Sequence, residues 1–300
     1  MRKTTLENDN FFRTISDPSK VITPIDSTIR FPEVLDVLIE KYDDSISVFC
    51  DLIEQADSSA EVLIKIRSLD RSADERMALL KMYRRCVSPV LDTETTKKIK
   101  KISSQKLIDS YKETFKPIGK LKSQFANMPK EMRYALAALI GEYDTRGKLG
   151  YQLTGAFFDW FEETFKGSYV IEGPRGAGRD IELRNVFTDY QGSFPCDFVV
   201  KRFSDNHPLA VGFARYDSTR GGAQSDDRTG GNANKVDKAK LFHKETGKNF
   251  KLIFLSDGPG LLHGDTWEES CMLDGQWNGN VRVSTLKLAN KRITSEWLES

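Results

Sequence analysis

The chain has 300 residues, 39% hydrophobic and 30% charged, which predicts a globular protein with one elaborated domain or two lobes. No apolar run is long enough to span a bilayer, Met1–Asn8 lacks a signal-peptide core, and Cys50, Cys86, Cys196 and Cys271 show no paired metal spacing. These features argue against a membrane-spanning or zinc-ribbon protein and predict reduced thiols in the cytoplasm. The net charge of +1 conceals an asymmetry: residues 1–60 carry six Lys/Arg against twelve Asp/Glu, and residues 97–133 carry eleven against three. A basic run of this kind is either a solvated lysine-rich surface or a polyanion-binding face.

The first half reads as helical. Leu35, Leu38, Ile39 and Tyr42 share one helical face behind Pro32. Ser72-Ala73-Asp74-Glu75 forms a capping box that opens a helix carrying Leu79, Leu80, Tyr83 and Val87, stopped near Pro89. A basic helix is predicted over Thr95–Phe115 and a shorter apolar one over Glu131–Ile140. The division between lobes falls near Asp144–Gly150, giving a helical region 1–144, with its basic segment at 97–133, and an α/β region 145–300. A helix over Gln152–Phe165 carries the stripe Leu153, Phe157, Trp160, Phe161 and Phe165, whose spacing and area suit a core better than a base-stacking platform.

Strand patterns follow. Ser168–Glu172 and Ile181–Phe187 flank the turn-rich Gly173-Pro174-Arg175-Gly176-Ala177-Gly178-Arg179. Asp197–Lys201, Leu209–Tyr216, Lys251–Leu255 and Asn280–Leu286 are further strands, with a helix over Ala233–Glu245 between the second and third of them and another ending near Trp297. That order, with the helix lying between the strands Leu209–Tyr216 and Lys251–Leu255, predicts a mixed sheet with a helical crossover.

Two features carry chemistry. Asp197 stands at the mouth of one apolar strand and Asp217 at the end of the next, so neighbouring strands hold two carboxylates close enough for a hard cation such as Mg²⁺. Beyond Asp217 lies a loop, residues 218–232, that no packing argument requires. Its glycines permit close backbone approach. Arg215, Arg220 and Arg228 can grip phosphate or guanine, Gln224 and Asn232 can pair with base edges, and Asp226 and Asp227 can accept from cytosine or orient the arginines. Arg175 and Arg179 offer further phosphate contacts, since their glycine-rich turn lacks the GK[ST] ending of a nucleotide loop.

The runs Pro195-Cys196-Asp197-Phe198-Val199-Val200 and Ala210-Val211-Gly212-Phe213-Ala214-Arg215-Tyr216-Asp217, with Ser256-Asp257-Gly258-Pro259-Gly260 after the next strand, resemble the PD-(D/E)XK nuclease superfamily and its type II restriction endonucleases. The longer run Ala214–Arg228 looks like a loop found in some of these enzymes, and the resemblance covers roughly residues 145–290. It implies an α/β fold, a restriction-endonuclease-like mixed sheet flanked by helices. It also implies Mg²⁺-dependent hydrolysis of double-stranded DNA, a homodimer, and a cognate DNA methyltransferase in the same bacterial or archaeal system. Asp197 matches the family's metal-binding aspartate. The second strand departs from the pattern, because Gly212-Phe213-Ala214 has neither the usual acid nor the lysine. The second carboxylate then falls to Asp217, or to Asp180 or Glu182 on the preceding strand. The lysine role passes to Lys240, with Lys235 and Lys238 as neighbours on the same helix, or to Gln224. Two other readings are a non-catalytic DNA-binding protein on the same fold and a helical protein-interaction scaffold.

Overall fold

The computed structural model describes residues 10–26, 29–144, 148–218 and 224–300. The chain forms two compact units: Thr28–Arg146, and Met1–Ser27 together with Gly147–Ser300. The expected division is residues 1–144 against 145–300. The described residues 10–26 pack with the α/β unit, where Phe12 is buried in the core.

The helical unit comprises α1 (Glu33–Gln55), α2 (Ser59–Ile66), α3 (Ala73–Cys86), α4 (Thr93–Thr96), α5 (Ser104–Tyr111), α6 (Ile118–Phe125) and α7 (Lys130–Gly141). In α1 the buried residues Tyr42, Ile46, Phe49 and Ile53 recur at helical spacing and pack with residues of α3, α6 and α7 into one apolar core. Half of the predicted capping box forms. The Ser72 hydroxyl accepts the Glu75 amide at 3.1 Å, but the Glu75 carboxylate pairs with Arg71 instead of reaching back. The basic helix predicted over Thr95–Phe115 is broken. Residues 97–103 turn, and Ser103 caps a new helix by accepting the Lys106 amide.

The α/β unit opens with α8 (Lys148–Thr164), followed by β1 (Tyr169–Glu172), β2 (Ile181–Glu182), β3 (Pro195–Cys196), β4 (Phe198–Arg202) and β5 (Pro208–Tyr216). Then come α9 (Gln224–Thr246), β6 (Lys251–Asp257), α10 (Gly264–Leu273), β7 (Val281–Ser284), α11 (Ala289–Arg292) and α12 (Ser295–Glu299). The main sheet has the order β1-β4-β5-β6-β7. Its first three strands are antiparallel, and β5, β6 and β7 are parallel. The predicted α/β class and mixed sheet are therefore observed.

Strand alternation divides the core. Phe198, Val200, Ala210, Ile253 and Leu255 face α8, whose aromatic stripe is buried against them. Val199, Val211, Phe213, Leu252 and Phe254 face α9 through Val236, Ala239 and Phe242. The stripe of α8 is thus core and takes no part in stacking on bases. Ile181–Phe187 is not a full strand: after Glu182 the chain enters a 3₁₀ turn, with the Leu183 amide donating to Phe194 O at 3.0 Å.

Residues 10–26 strap the ends of the parallel strands. Asp257 at the end of β6 is fully buried. Its carboxylate accepts amides from Thr23 (2.8 Å), Gly258 (2.8 Å) and Leu286 (2.9 Å). The Tyr216 hydroxyl accepts the Ile25 amide at 3.0 Å, and Thr285 Oγ1 donates to Val21 O at 2.6 Å. Further along, Asp274 accepts the amides of Phe12 and Val283 and pairs with the buried Arg292. Among the described residues no helix is long and apolar enough to cross a membrane, and the four cysteines are free thiols.

Candidate functional site

Asp197 occupies the step between β3 and β4. Its amide donates to Gly212 O at 2.9 Å, continuing the β4–β5 ladder by one residue. Beyond that point β4 leaves the Ala214 amide without a strand partner, and Asp197 Oδ2 accepts it at 2.7 Å. One carboxylate oxygen is therefore fixed by the main chain, while the residue as a whole lines a cavity. Burial holds the Asp197 carboxyl above its ordinary range. The neighbouring Asp180 pushes it the same way, whereas the Ala214 hydrogen bond and Lys235 oppose the rise.

The backbone around Asp197 is tightly packed. Gly173, just after β1, presses its main chain on Asp197 so closely that a Cβ there would lie 2.3 Å from Asp197 O. Gly258 does the same for Asp217. It has φ of +102° and a Cβ would meet Asp217 O at 2.4 Å. The Cys196 thiol, buried beside this point, is pushed up to about 12 by burial first and then by nearby acids. It stays a neutral thiol donating to Ile181 O.

Helix α9 supplies the opposite wall. The cavity, about 460 Å³, is lined by Asp197, Arg215, Asp217, Asn232, Lys235 and Ser256, with Phe213 and Phe254 at its floor. The Lys235 ammonium lies over the Phe213 ring, 3.7 Å from its centroid. Burial lowers the pKa of Lys235, and Asp197 and Asp180 counter that shift. Asp197 and Lys235 are thus electrostatic neighbours across one cavity. Phe213 stands beside Asp197 on the face where the resemblance leads one to expect an acid.

The other predicted site residues divide. Asp217 reaches the cavity, but the Arg215 guanidinium binds its carboxylate, with Nε to Oδ1 at 2.7 Å. Arg215 therefore serves as partner to Asp217 as well as lining the cavity. Asn232 lines it too. Lys240 does not; it lies five residues beyond Lys235, well round the helix. Lys238 turns to Ser193 O at 3.3 Å. Glu182 is committed to its own hairpin, accepting the Phe194 amide at 2.9 Å and the Ser193 hydroxyl at 3.2 Å. It does not line the cavity that holds Asp197 and Asp217. Arg175 is held on α8 by Asp159 and Glu162 and stacks on Phe158, so its positive charge is already matched. Arg179 is exposed.

Arg220 lies outside the described residues, as do the side chains of Gln224, Asp226, Asp227 and Arg228. The backbone from Gln224 onward is helical, so the predicted loop up to residue 232 is shorter than expected and α9 longer. Among the described residues, no three His, Cys, Asp or Glu side chains converge as a metal-binding group. Mg²⁺ usually takes only one or two protein carboxylates and keeps several waters. Asp197, with Asp217 nearby at the same cavity, fits that smaller demand.

Asp257, named from the sequence only as part of the run Ser256–Gly260, anchors the strap, a role signalled by an acidic residue at the end of an apolar strand followed by Gly-Pro-Gly. No protein-family model matches the chain, and comparisons with curated proteins and with solved structures find no match.

Proposed function

We propose that the α/β unit is a Mg²⁺-dependent endodeoxyribonuclease of type II restriction character, with a restriction-endonuclease-like core, cutting double-stranded DNA at specific sites as a homodimer. The observation that carries this reading is the meeting of Asp197 and Lys235 across a cavity at the junction of β4, β5 and α9. Hydrolysis of a phosphodiester needs a cation at the scissile phosphate and an activated water, and bound Mg²⁺ supplies the Lewis acidity. Asp197 would hold that ion, with Asp217 as second carboxylate when Arg215 exchanges its partner for a phosphate. Lys235 replaces the lysine missing from β5, its ammonium placed to stabilise charge developing at the phosphate or to orient the water. Asn232 and Gly231, the helix positions at the cavity wall, leave the strand room to approach.

Supercoiled plasmid incubated with Mg²⁺ is expected to give discrete fragments. Asp197→Ala should abolish cutting with the circular dichroism spectrum unchanged, and Lys235→Gln should slow it by roughly 10²- to 10³-fold. Full cutting by the Asp197→Ala protein would overturn the assignment. A second reading, sequence-specific DNA binding without cleavage, is favoured by Phe213 lining the cavity beside Asp197. Salt-sensitive binding with no cutting under any divalent metal would select it.

A further inference from the structure

We infer that the turn Lys97–Lys101 of the helical unit is a preformed clamp for the phosphate backbone of duplex DNA. The inference rests on the proposed DNA ligand but not on cleavage. Between α4 and α5 the chain folds back through consecutive turns. The Lys97 amide donates to Thr93 O at 3.0 Å, and the amides of Lys101 and Ile102 both donate to Lys98 O at 3.0 Å. Lys97, Lys98, Lys100 and Lys101 are all exposed. Lys97 pairs with Glu94 at 2.6 Å. Among the described residues, Lys98, Lys100 and Lys101 have no carboxylate within ion-pair distance.

Beneath the turn lies Arg67, at the end of α2 and only 5% exposed. Its guanidinium donates to Thr96 O at 2.9 Å, to Ser104 Oγ at 2.8 Å and to Ile102 O. All three acceptors are neutral, and they sit at the two ends of the lysine turn. The arginine thus fixes the shape of the turn while adding a fifth positive charge to it. Gathering these cations with one carboxylate among them opposes folding through self-repulsion, and a polyanion relieves that repulsion. A turn already held in shape loses little entropy on binding.

The side chains also select the kind of polyanion. Ile102 packs on the helical core and Ile99 is half-buried, so the turn presents ammonium groups without an apolar wedge. A membrane-surface element buries apolar side chains below the headgroups; a phosphate-backbone contact needs only charge and position.

The test is binding of the full chain to a fluorescent DNA duplex in EDTA, titrated with KCl. Replacing Lys97, Lys98, Lys100 and Lys101 together by Gln should flatten the log affinity against log salt slope by roughly three to four, at about 0.9 per phosphate contact. Affinity in 100 mM salt should fall at least ~30-fold, a loss expected of several such contacts. The matching set of Arg substitutions should keep the wild-type slope. Unchanged slope and affinity in the Gln protein would overturn the clamp. So would loss of binding to phosphatidylserine vesicles with DNA binding intact, which would identify a lipid surface instead. A wild-type chain that binds through the lysines but never cuts sinks the nuclease reading and leaves the clamp standing. Cutting with the Gln protein binding normally does the reverse. No binding at low salt removes both.

Discussion

Asp197 combines two demands on one side chain: Oδ2 closes the β4–β5 ladder at Ala214, and burial disfavours the charge that metal binding requires. The sign of the consequence follows from linkage. With the folded pKa raised, the native state retains a proton that the unfolded chain has already released. Stability therefore falls as pH rises from the ordinary value of 3.8 through the raised one. Asp197→Asn keeps the oxygen that accepts from Ala214 and removes the penalty. Urea unfolding should find it more stable than wild type at pH 7, by up to about 1 kcal/mol, with the gain vanishing below pH 3.8. Adding Mg²⁺ should raise the unfolding midpoint of the wild type and not of the variant, because only the charged carboxylate binds the ion. A midpoint in wild type indifferent to Mg²⁺ would remove Asp197 from the metal role.

At the scale of elements, the end of β1 sets the position of β4. Gly173→Ala would drive a methyl group into Asp197 O, where 2.3 Å is available, and should destabilise the fold by about 1–3 kcal/mol. It should also cut plasmid cleavage, since Asp197 must shift to make room. Ser72→Ala, by contrast, removes only the cap of α3. Denaturation should register a loss of about 1 kcal/mol with cleavage rate unchanged.

The central elements were legible because each repeats its own period. The stripe of α8 and the alternation of β4 and β5 are long, regular and independent of partners. Elements decided by contacts distant in sequence were not. Lysines favour helix, so Thr95–Phe115 reads as one helix until Arg67 claims Thr96 and Ile102. Gly230 and Gly231 each weaken a helix by about 1 kcal/mol, so the start of α9 reads as loop. Ile181–Phe187 has strand composition, yet Leu183 turns inward to meet Phe194. The sequence places Asp197 at the mouth of β4, where it lines the cavity, whereas which of Lys235, Lys238 and Lys240 lines that cavity depends on helical phase, which only the placement of α9 reveals.

At the scale of the molecule, each unit has its own apolar core: one within residues 42–140, and two flanking the main sheet. Calorimetry should therefore resolve two unfolding transitions, and residues 28–146 expressed alone should give a cooperative helical melt. Asp257→Asn tests which transition belongs to the sheet. It replaces one acceptor oxygen of a fully buried carboxylate with an amine facing an N–H donor. That should cost about 2–4 kcal/mol and lower one transition only. A single transition shifted as a whole would show the two units to be energetically fused.

The strap has a consequence for the order in which the protein is made. Its hydrogen bonds span almost the whole chain: Thr23 to Asp257 is separated by 234 residues and Val21 to Thr285 by 264. The strap is synthesised before the helical unit and its docking partners after it, so the helical unit has had time to fold before they meet. Until β6 and β7 arrive, Phe12 has no complete pocket, and the strap backbone that the Tyr216 hydroxyl grips is not yet held by Asp257 and Thr285. The strand ends that frame the cavity are thus closed by segments made on either side of the helical unit, and a nascent chain carries an unfinished site until β6 and β7 have been made.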